Sequence, residues 1–312
     1  MSSANAMPHL IRLLCILFAS HVSAFAQTPW PVRSIQIVVP FAAGSAPDLI
    51  GRLLAEKISK SLKTSVIVEN VPGAGGTIGV DRVVRAAPDG YTLVLSGDAA
   101  IVLGAKYGLK PPYDAIRDLA PVFQVVITPN ILVVSNDLPV KSLEEFVALA
   151  RSQPDKFSYA SVGNGTSSHR GGEMLNALAG LNMVHVPYTG SPLPDVMAGR
   201  VQLFFANAAA LPLIREGKLK ALAVSSLQRL PVAPDLPTVA EAGYPGFEAV
   251  AWFGLLAPKG VSPEIVSRLE AETRSALSQP AVKARLVEMG AVAQSSSAIS
   301  FSKVIEAESI KQ

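Results

Sequence analysis

From Ile35 onward, short β-branched runs alternate with stretches of helix length, and this alternation confines the chain to the α/β class. Ile35-Gln36-Ile37-Val38-Val39 reads as a buried strand, and just after it Leu49, Ile50, Leu53, Leu54, Ile58 and Leu62 recur at helical spacing. Ser65 to Glu69 reads as a second strand, Thr77 to Ala86 as a helix, and Thr92 to Leu95 as a third strand. Parallel neighbours need a crossover long enough to hold a helix, so this order predicts a parallel sheet covered by helices.

A second unit follows the same rhythm. Val122 to Ile127 and Ile131 to Val134 read as strands separated by Thr128-Pro129-Asn130. Proline there interrupts a ladder, so the chain is expected to cross between domains at this point. Ser142-Leu143-Glu144-Glu145 is a capping box opening a helix to Arg151. Strands are expected at Ser158–Ser161, Val184–Pro187, Val201–Phe205 and Leu219–Val224, alternating with helical segments. After a proline-rich stretch from Leu230 to Tyr244, Ala251 to Ala257 reads as a strand and Ser262-Pro263-Glu264 as a helix start. Gly290 ends the last major helix, and a short strand and helix close the chain.

Composition narrows the function. Of 312 residues, 16% are charged and 49% hydrophobic, which excludes a disordered chain. The formal charge of +3 comes without a basic cluster interleaved with aromatics, so no nucleic-acid partner is expected. Residues 1–26 read as a secretory signal peptide: Arg12 is the clear charge, Leu13 to Phe18 the apolar core, and Ala24-Phe25-Ala26 a small-x-small site before Gln27. The bulky Leu14 before Cys15 argues against lipid attachment. Cleavage after Ala26 would leave two histidines, His169 and His185, and no cysteine, which removes any thiolate metal site. The expected protein is exported and soluble, with no metal and no cofactor.

Three loops lie between an expected strand and an expected helix. Pro40-Phe41-Ala42-Ala43-Gly44-Ser45-Ala46-Pro47-Asp48 is either a plain βα turn, with Asp48 serving the helix dipole, or a ligand loop in which small residues admit an anion to backbone N–H groups. Asn70-Val71-Pro72-Gly73-Ala74-Gly75-Gly76 has a dinucleotide-like glycine pattern at the wrong spacing, with Asp98 roughly where a ribose-binding acid would stand. Ser161-Val162-Gly163-Asn164-Gly165-Thr166-Ser167-Ser168-His169 is a glycine-hydroxyl loop whose hydroxyls and N–H groups suit a carboxylate without a cation. Ser167 or Ser168 with His169 is the material for a nucleophile and base, but the nucleophile-elbow pattern is absent, and His169 and His185 read first as structural. Arg52, Arg82 and Arg170 are expected to be solvated or salt-bridged; Trp252 and Phe253 are expected in the core or stacked on a ligand.

Taken together these segments are far more specific than any alone. Ile37-Val38-Val39-Pro40-Phe41-Ala42-Ala43-Gly44, Val68-Glu69-Asn70-Val71-Pro72-Gly73-Ala74-Gly75-Gly76, Pro88-Asp89-Gly90-Tyr91-Thr92 and Tyr159-Ala160-Ser161-Val162-Gly163-Asn164-Gly165-Thr166-Ser167 stand in this order. His185-Val186-Pro187-Tyr188, Gly217-Lys218-Leu219-Lys220-Ala221-Leu222-Ala223-Val224 and Leu236-Pro237-Thr238-Val239-Ala240-Glu241-Ala242-Gly243 follow. The chain thereby resembles the solute receptors of tripartite tricarboxylate transporters, the Bug family, over nearly all of its length after the leader.

The resemblance implies a two-domain periplasmic-binding-protein fold of type II-like α/β architecture, with an interdomain ligand cleft and two crossovers. Residues 27–129 plus 251–312 would form domain 1, and 130–250 domain 2. It implies a monomer in the periplasm that captures a small carboxylate and delivers it to membrane permease subunits, without catalysis. Carried over by position, Phe41, Ala42, Gly44 and Ser45 form one wall, and Ser161, Gly163, Asn164, Thr166 and His169 the other, flanked by Ser96, Asp98, Tyr188, Thr189 and Asn207. The chain departs from the family pattern at Ser45 (a glycine), Arg170 (an apolar residue), Ala206 (an aspartate) and a shortened 190–195 segment. A periplasmic sensor is the alternative within binding proteins, and a secreted serine hydrolase the alternative from another class.

Overall fold

The computed structural model describes residues 30–104, 108 and 110–310. The leader and its cleavage site lie outside the described residues. The chain divides into two units, Met1–Val32 and Arg33–Gln312, and the architecture below belongs to the second.

In chain order, β1 (Ile35–Val39), α1 (Ala46–Leu62), β2 (Val66–Asn70), α2 (Thr77–Val84) and β3 (Thr92–Gly97) come first. β1 pairs in parallel with both β2 and β3, as the strand–helix alternation predicts. A short α3 (Ala115–Asp118) leads into β4 (Leu119–Thr128), and Pro129 separates β4 from β5 (Ile131–Ser135), which belongs to a different sheet. There the chain runs through α4 (Leu143–Ser152), β6 (Ser158–Ser161), α5 (Ser167–Ala179), β7 (Val184–Pro187), α6 (Leu193–Met197), β8 (Leu203–Ala206), α7 (Leu211–Arg215) and β9 (Leu219–Val224). It returns with β10 (Ala251–Pro258), α8 (Pro263–Ser278), α9 (Pro280–Glu288), β11 (Val292–Ala293) and α10 (Ala298–Ile310).

Two sheets result, in strand order β11-β4-β10-β3-β1-β2 and β7-β6-β8-β5-β9. Both are mixed, which corrects the expectation of a parallel sheet. β4 leaves the first sheet and β10 enters it from the second, so the two lie side by side in opposite directions, with Ala251 opposite Thr128. β5 likewise runs antiparallel to β8 and β9, while β6 is parallel to β7 and β8.

Local sequence explains where the elements begin. Ser142 accepts from the Glu145 amide, and Glu145 reaches back to the Lys141 amide, so the box caps α4. Ser262 caps α8 ahead of Pro263. Strand β5 of the second sheet is buried on both faces: Leu132 and Val134 pack with Phe146, Tyr159, Leu175, Phe205 and Phe247, and Ile131 and Val133 pack with Ala160 and Phe204 on the other side. Trp252 lies in the core of the first sheet, edge-on to Phe301, with its indole donating to Glu308 at 2.9 Å. Each such side chain contributes about 1.5–3 kcal/mol by leaving water.

Two glycines fix how α5 sits on its sheet. A Cβ on Gly171 would stand 2.8 Å from the Phe205 ring, and one on Gly172 only 2.1 Å from Tyr159. Bare backbone at both positions lets the helix lie directly on β6 and β8. Its N-terminus, and the loop before it, are therefore held at the C-terminal end of β6.

Candidate functional site

The first loop, between β1 and α1, is organised by Asp48. This side chain is 1% exposed and accepts from the Gly44 amide at 2.8 Å, Asn70 Nδ2 at 2.9 Å and Arg52 Nε at 3.0 Å. Burial pushes its carboxyl up, but these hydrogen bonds outweigh burial and hold it below the ordinary aspartate value. Asn70 also donates to the Phe41 carbonyl and accepts from Arg52. Asp48 thus does more than serve a dipole: it folds the loop. Ser45 turns its hydroxyl back onto the Ala42 carbonyl at 2.6 Å. Ala42 and Ala43 remain exposed, and their amides have no partner among the described residues. Phe41 packs edge-on against Phe253 at 5.7 Å, which brings the loop against β10.

The third loop, between β6 and α5, is a dense polar network. Gly163 and Gly165 have φ of 125° and 78°, a region where only glycine is at ease. Thr166 caps α5, accepting from the His169 amide at 3.4 Å while its hydroxyl donates to the Gly163 carbonyl at 2.7 Å. Ser168 accepts from the Val162 amide. The Gly163 amide donates to Ser161 Oγ at 3.1 Å, and the Gly165 amide donates to His169 Nδ1 at 3.1 Å. Left over are the amides of Asn164, Ser167 and Ser168, without a partner among the described residues. The last two are at the positive end of a 13-residue helix.

Asp98 and Arg170 connect the two sheets. Asp98 follows β3 and Arg170 lies in the first turn of α5, yet Nη1 of Arg170 stands 2.8 Å from Asp98 Oδ2. The same guanidinium donates to the Gly165 carbonyl at 3.4 Å and, through Nη2, to the Val250 carbonyl at 2.7 Å. Asp98 also accepts from the Ala99 amide. Its side chain is 6% exposed and that of Arg170 17%. Burial pushes the Asp98 carboxyl up, opposed by the guanidinium and the amide. Asp98 thus caps the turn that follows it and carries an ion pair as well. Ser96, two residues earlier, is buried with its hydroxyl unpartnered.

A second tie runs through Asn130 in the first crossover. Its Nδ2 donates to Ser167 Oγ at 2.8 Å and to the Ala249 carbonyl, and its amide donates to Ser225 Oγ. Asn130 therefore joins both crossovers to the start of α5. Sequence reading marked Asn130 as a crossover position but not as a hub, and missed Asn70; each signal lies in contacts between distant segments.

The flanking positions are less convergent. The Tyr188 hydroxyl donates to Asp195 at 2.6 Å, Thr189 is exposed, and exposed Asn207 caps a short turn by accepting from the Ala209 amide. Asn164 is exposed in the third loop. The expected salt bridges of Arg52 and Arg82 are present, to Asp48 and Glu69. Ser167 Oγ accepts from Asn130 and Ser168 Oγ from the Val162 amide. The Ser–His hydrogen bond of this region is Ser161 Oγ to His185 Nε2 at 2.7 Å, and Ser161 is fully buried. Among the described residues no group of three or more His, Cys, Asp or Glu side chains has the geometry to hold a metal ion, and no helix is long and apolar enough to cross a membrane.

Known proteins share this architecture. The chain is similar to the periplasmic binding protein BugD, at 34% identity over 90% of this chain and 96% of that one, with a TM-score of 0.74. It is similar to Rpa4515 of R. palustris, solved with adipate: 33% identity, 90% and 95% coverage, TM-score 0.79. It is also similar to MatC of Rhodopseudomonas palustris, solved with bound malate: 34% identity, 90% and 98% coverage, TM-score 0.75. The two-sheet α/β architecture is that of periplasmic binding proteins. Residues 50–312 match the model of the tripartite tricarboxylate transporter family receptor, and the chain belongs to that family.

Proposed function

We propose that this chain is an exported receptor that captures a small carboxylate between the first and third loops and delivers it to the membrane permease subunits of a tripartite transporter. One observation carries the reading. Polar loops at the C-terminal ends of β1 and β6 hold unpartnered amides, in a family whose solved members Rpa4515 and MatC hold adipate and malate. A carboxylate at the start of α5 gains N–H donors and a favourable helix dipole. No free cation is needed, because the guanidinium of Arg170 is already matched by Asp98.

On this reading Phe41, Ala42, Gly44 and Ser45 form one wall and Ser161, Gly163, Asn164, Thr166 and His169 the other. The buried hydroxyl of Ser96 faces no competing partner, and Asp98, Tyr188, Thr189 and Asn207 border the site. Residues 27–129 with 251–312, and 130–250, act as two domains that close about the crossovers near Asn130 and Val250. The leader is removed after Ala26, and the receptor works as a periplasmic monomer without catalysing a reaction. Thr166, Ser161 and His169 support the loop through hydrogen bonds rather than by nucleophilic attack.

A thermal-shift screen tests the proposal. A ligand at a hundredfold excess over its Kd stabilises the native state by about 2.7 kcal/mol. Adipate, malate and related mono- and dicarboxylates are expected to raise the melting temperature, and neutral sugars are not. A shift with sugars or peptides alone overturns the carboxylate reading.

A further inference from the structure

We propose that His169 is a positioning residue that holds the third loop in its binding shape only while its ring is uncharged, so that ligand capture fails on acidification. The proposal rests on the carboxylate-receptor reading above for its consequence, but its structural part stands on the loop alone.

The third loop is carried on two imidazoles. The Gly165 amide donates to His169 Nδ1 at 3.1 Å, so Nδ1 presents its lone pair. The proton of the neutral ring is therefore on Nε2, which lies 3.4 Å from a Glu173 carboxylate oxygen. His185 stacks on His169 with centroids 3.9 Å apart and planes 18° apart, and the Tyr159 ring lies nearly parallel to both, 5.0 Å from His185 and 6.4 Å from His169. His185 Nε2 meets Ser161 Oγ at 2.7 Å, and that oxygen accepts from the Gly163 amide. Both glycine amides of the loop are thus anchored, one directly and one through Ser161, on stacked rings behind it.

A second proton on His169 has only Nδ1 to enter. It would turn the acceptor of the Gly165 amide into a donor, and two N–H groups would face each other. Gly165 is buried, so water does not readily replace the lost acceptor. The Gly165 carbonyl is bound by Arg170, so displacement of this peptide also disturbs the Arg170–Asp98 contact. The groups facing the ring are Glu173 and Arg170 from α5, His185 from β7, Tyr159 from β6, and, behind Arg170, Asp98 from the first sheet. Burial pushes His169 below the ordinary histidine value; Glu173 opposes this and Arg170 adds to it. Burial likewise lowers His185, and His169 adds to that shift. For a base whose folded value is depressed, the native loop is favoured while the ring is neutral and loses ground as pH falls through the titration.

The test is a pH titration of isotope-labelled, ligand-free protein by NMR, following the His169 ring nitrogens and the Gly165 amide. At neutral pH, His169 Nδ1 should read as the unprotonated nitrogen, and the Gly165 amide should lose exchange protection in step with the ring's titration. In His169→Asn, Oδ1 can accept from Gly165 without titrating, and the step should vanish. A Gly165 amide that stays flat through the titration of both rings, or that moves equally in His169→Asn, overturns the proposal. If that variant does not fold, the nitrogen shifts and amide protection of the parent protein decide alone. Calorimetry with adipate then reads the consequence. Below the His169 titration the parent should lose about tenfold in affinity per pH unit, beyond the loss seen in His169→Asn at the same pH. Equal losses in both proteins would overturn the gating of capture. Failure of adipate and other carboxylates to bind either protein at neutral pH would instead refute the receptor reading, and the amide titration would still decide the loop.

Discussion

Replacing Arg170 with methionine should be among the most damaging single changes outside the apolar core. The substitution keeps much of the stem but removes the guanidinium. Asp98, with its side chain 6% exposed, would keep only the Ala99 amide, and the Val250 carbonyl would lose its donor at 2.7 Å. Removing one partner of a buried ion pair costs about 3–5 kcal/mol. Arg170 is 17% exposed, so some water reaches the pair, and about 2–4 kcal/mol is the expected loss at neutral pH. Asp98→Asn should cost less, because the amide oxygen can still accept from the guanidinium. The double variant should be more stable than the sum of the two losses predicts, with a coupling of about 1–3 kcal/mol. Urea unfolding of the four proteins measures this directly. Burial raises the Asp98 carboxyl, and without Arg170 nothing cationic opposes it. A carboxyl raised in the folded state binds its proton before the unfolded chain does, so the deficit of Arg170→Met should shrink as pH is lowered from neutrality. A loss below about 0.5 kcal/mol, or strictly additive single variants, would refute the view that this pair joins the sheets.

Asp48→Asn should cost about 1–3 kcal/mol at neutral pH, since the charge strengthens three hydrogen bonds that fold the first loop. The Asp48 carboxyl is depressed in the folded state, so its contribution is present above the unfolded value and lost as pH falls through the folded one; the gap in unfolding free energy between parent and variant should therefore close on acidification. Gly172→Ala should destabilise by about 1–3 kcal/mol or displace α5, because the new methyl meets Tyr159; a crystal structure would show the helix lifted from β6. Thr166→Val should cost about 1 kcal/mol through loss of the α5 cap, read by thermal unfolding in the absence of any ligand.

Much of this architecture was legible because it is local. Hydrophobic periodicity located the strands and helices, and Ser142, Ser262 and Pro129 marked boundaries through capping and backbone chemistry that depend on immediate neighbours. The strand–helix rhythm misled on direction. It speaks of consecutive strands, whereas β4 pairs with a strand 123 residues away at Thr128–Ala251, and only the return from the second sheet sets that pairing antiparallel. The site divides in the same way. The glycine-hydroxyl loop announced itself, since its residues are contiguous. The partnership of Asp98 with Arg170 spans 72 residues, and a lone arginine on a helix face reads only as solvated or salt-bridged, with no partner named. Asn130 shows no motif at all, yet it ties both crossovers to α5 because the fold leaves its side chain between them. Asp48 read as a first-turn acid, and its larger role depends on Asn70 arriving from the end of β2.

A carboxylate held between loops belonging to the two sheets must perturb both of them when it binds. Amide resonances of labelled protein would be followed as adipate or malate is added at neutral pH. Ala42 and Ala43 in the first loop should shift together with Asn164, Ser167 and Ser168 in the third, at one saturating stoichiometry and for carboxylates only. Shifts confined to one loop, shifts elsewhere on the surface, or equal shifts with a neutral sugar would contradict that placement.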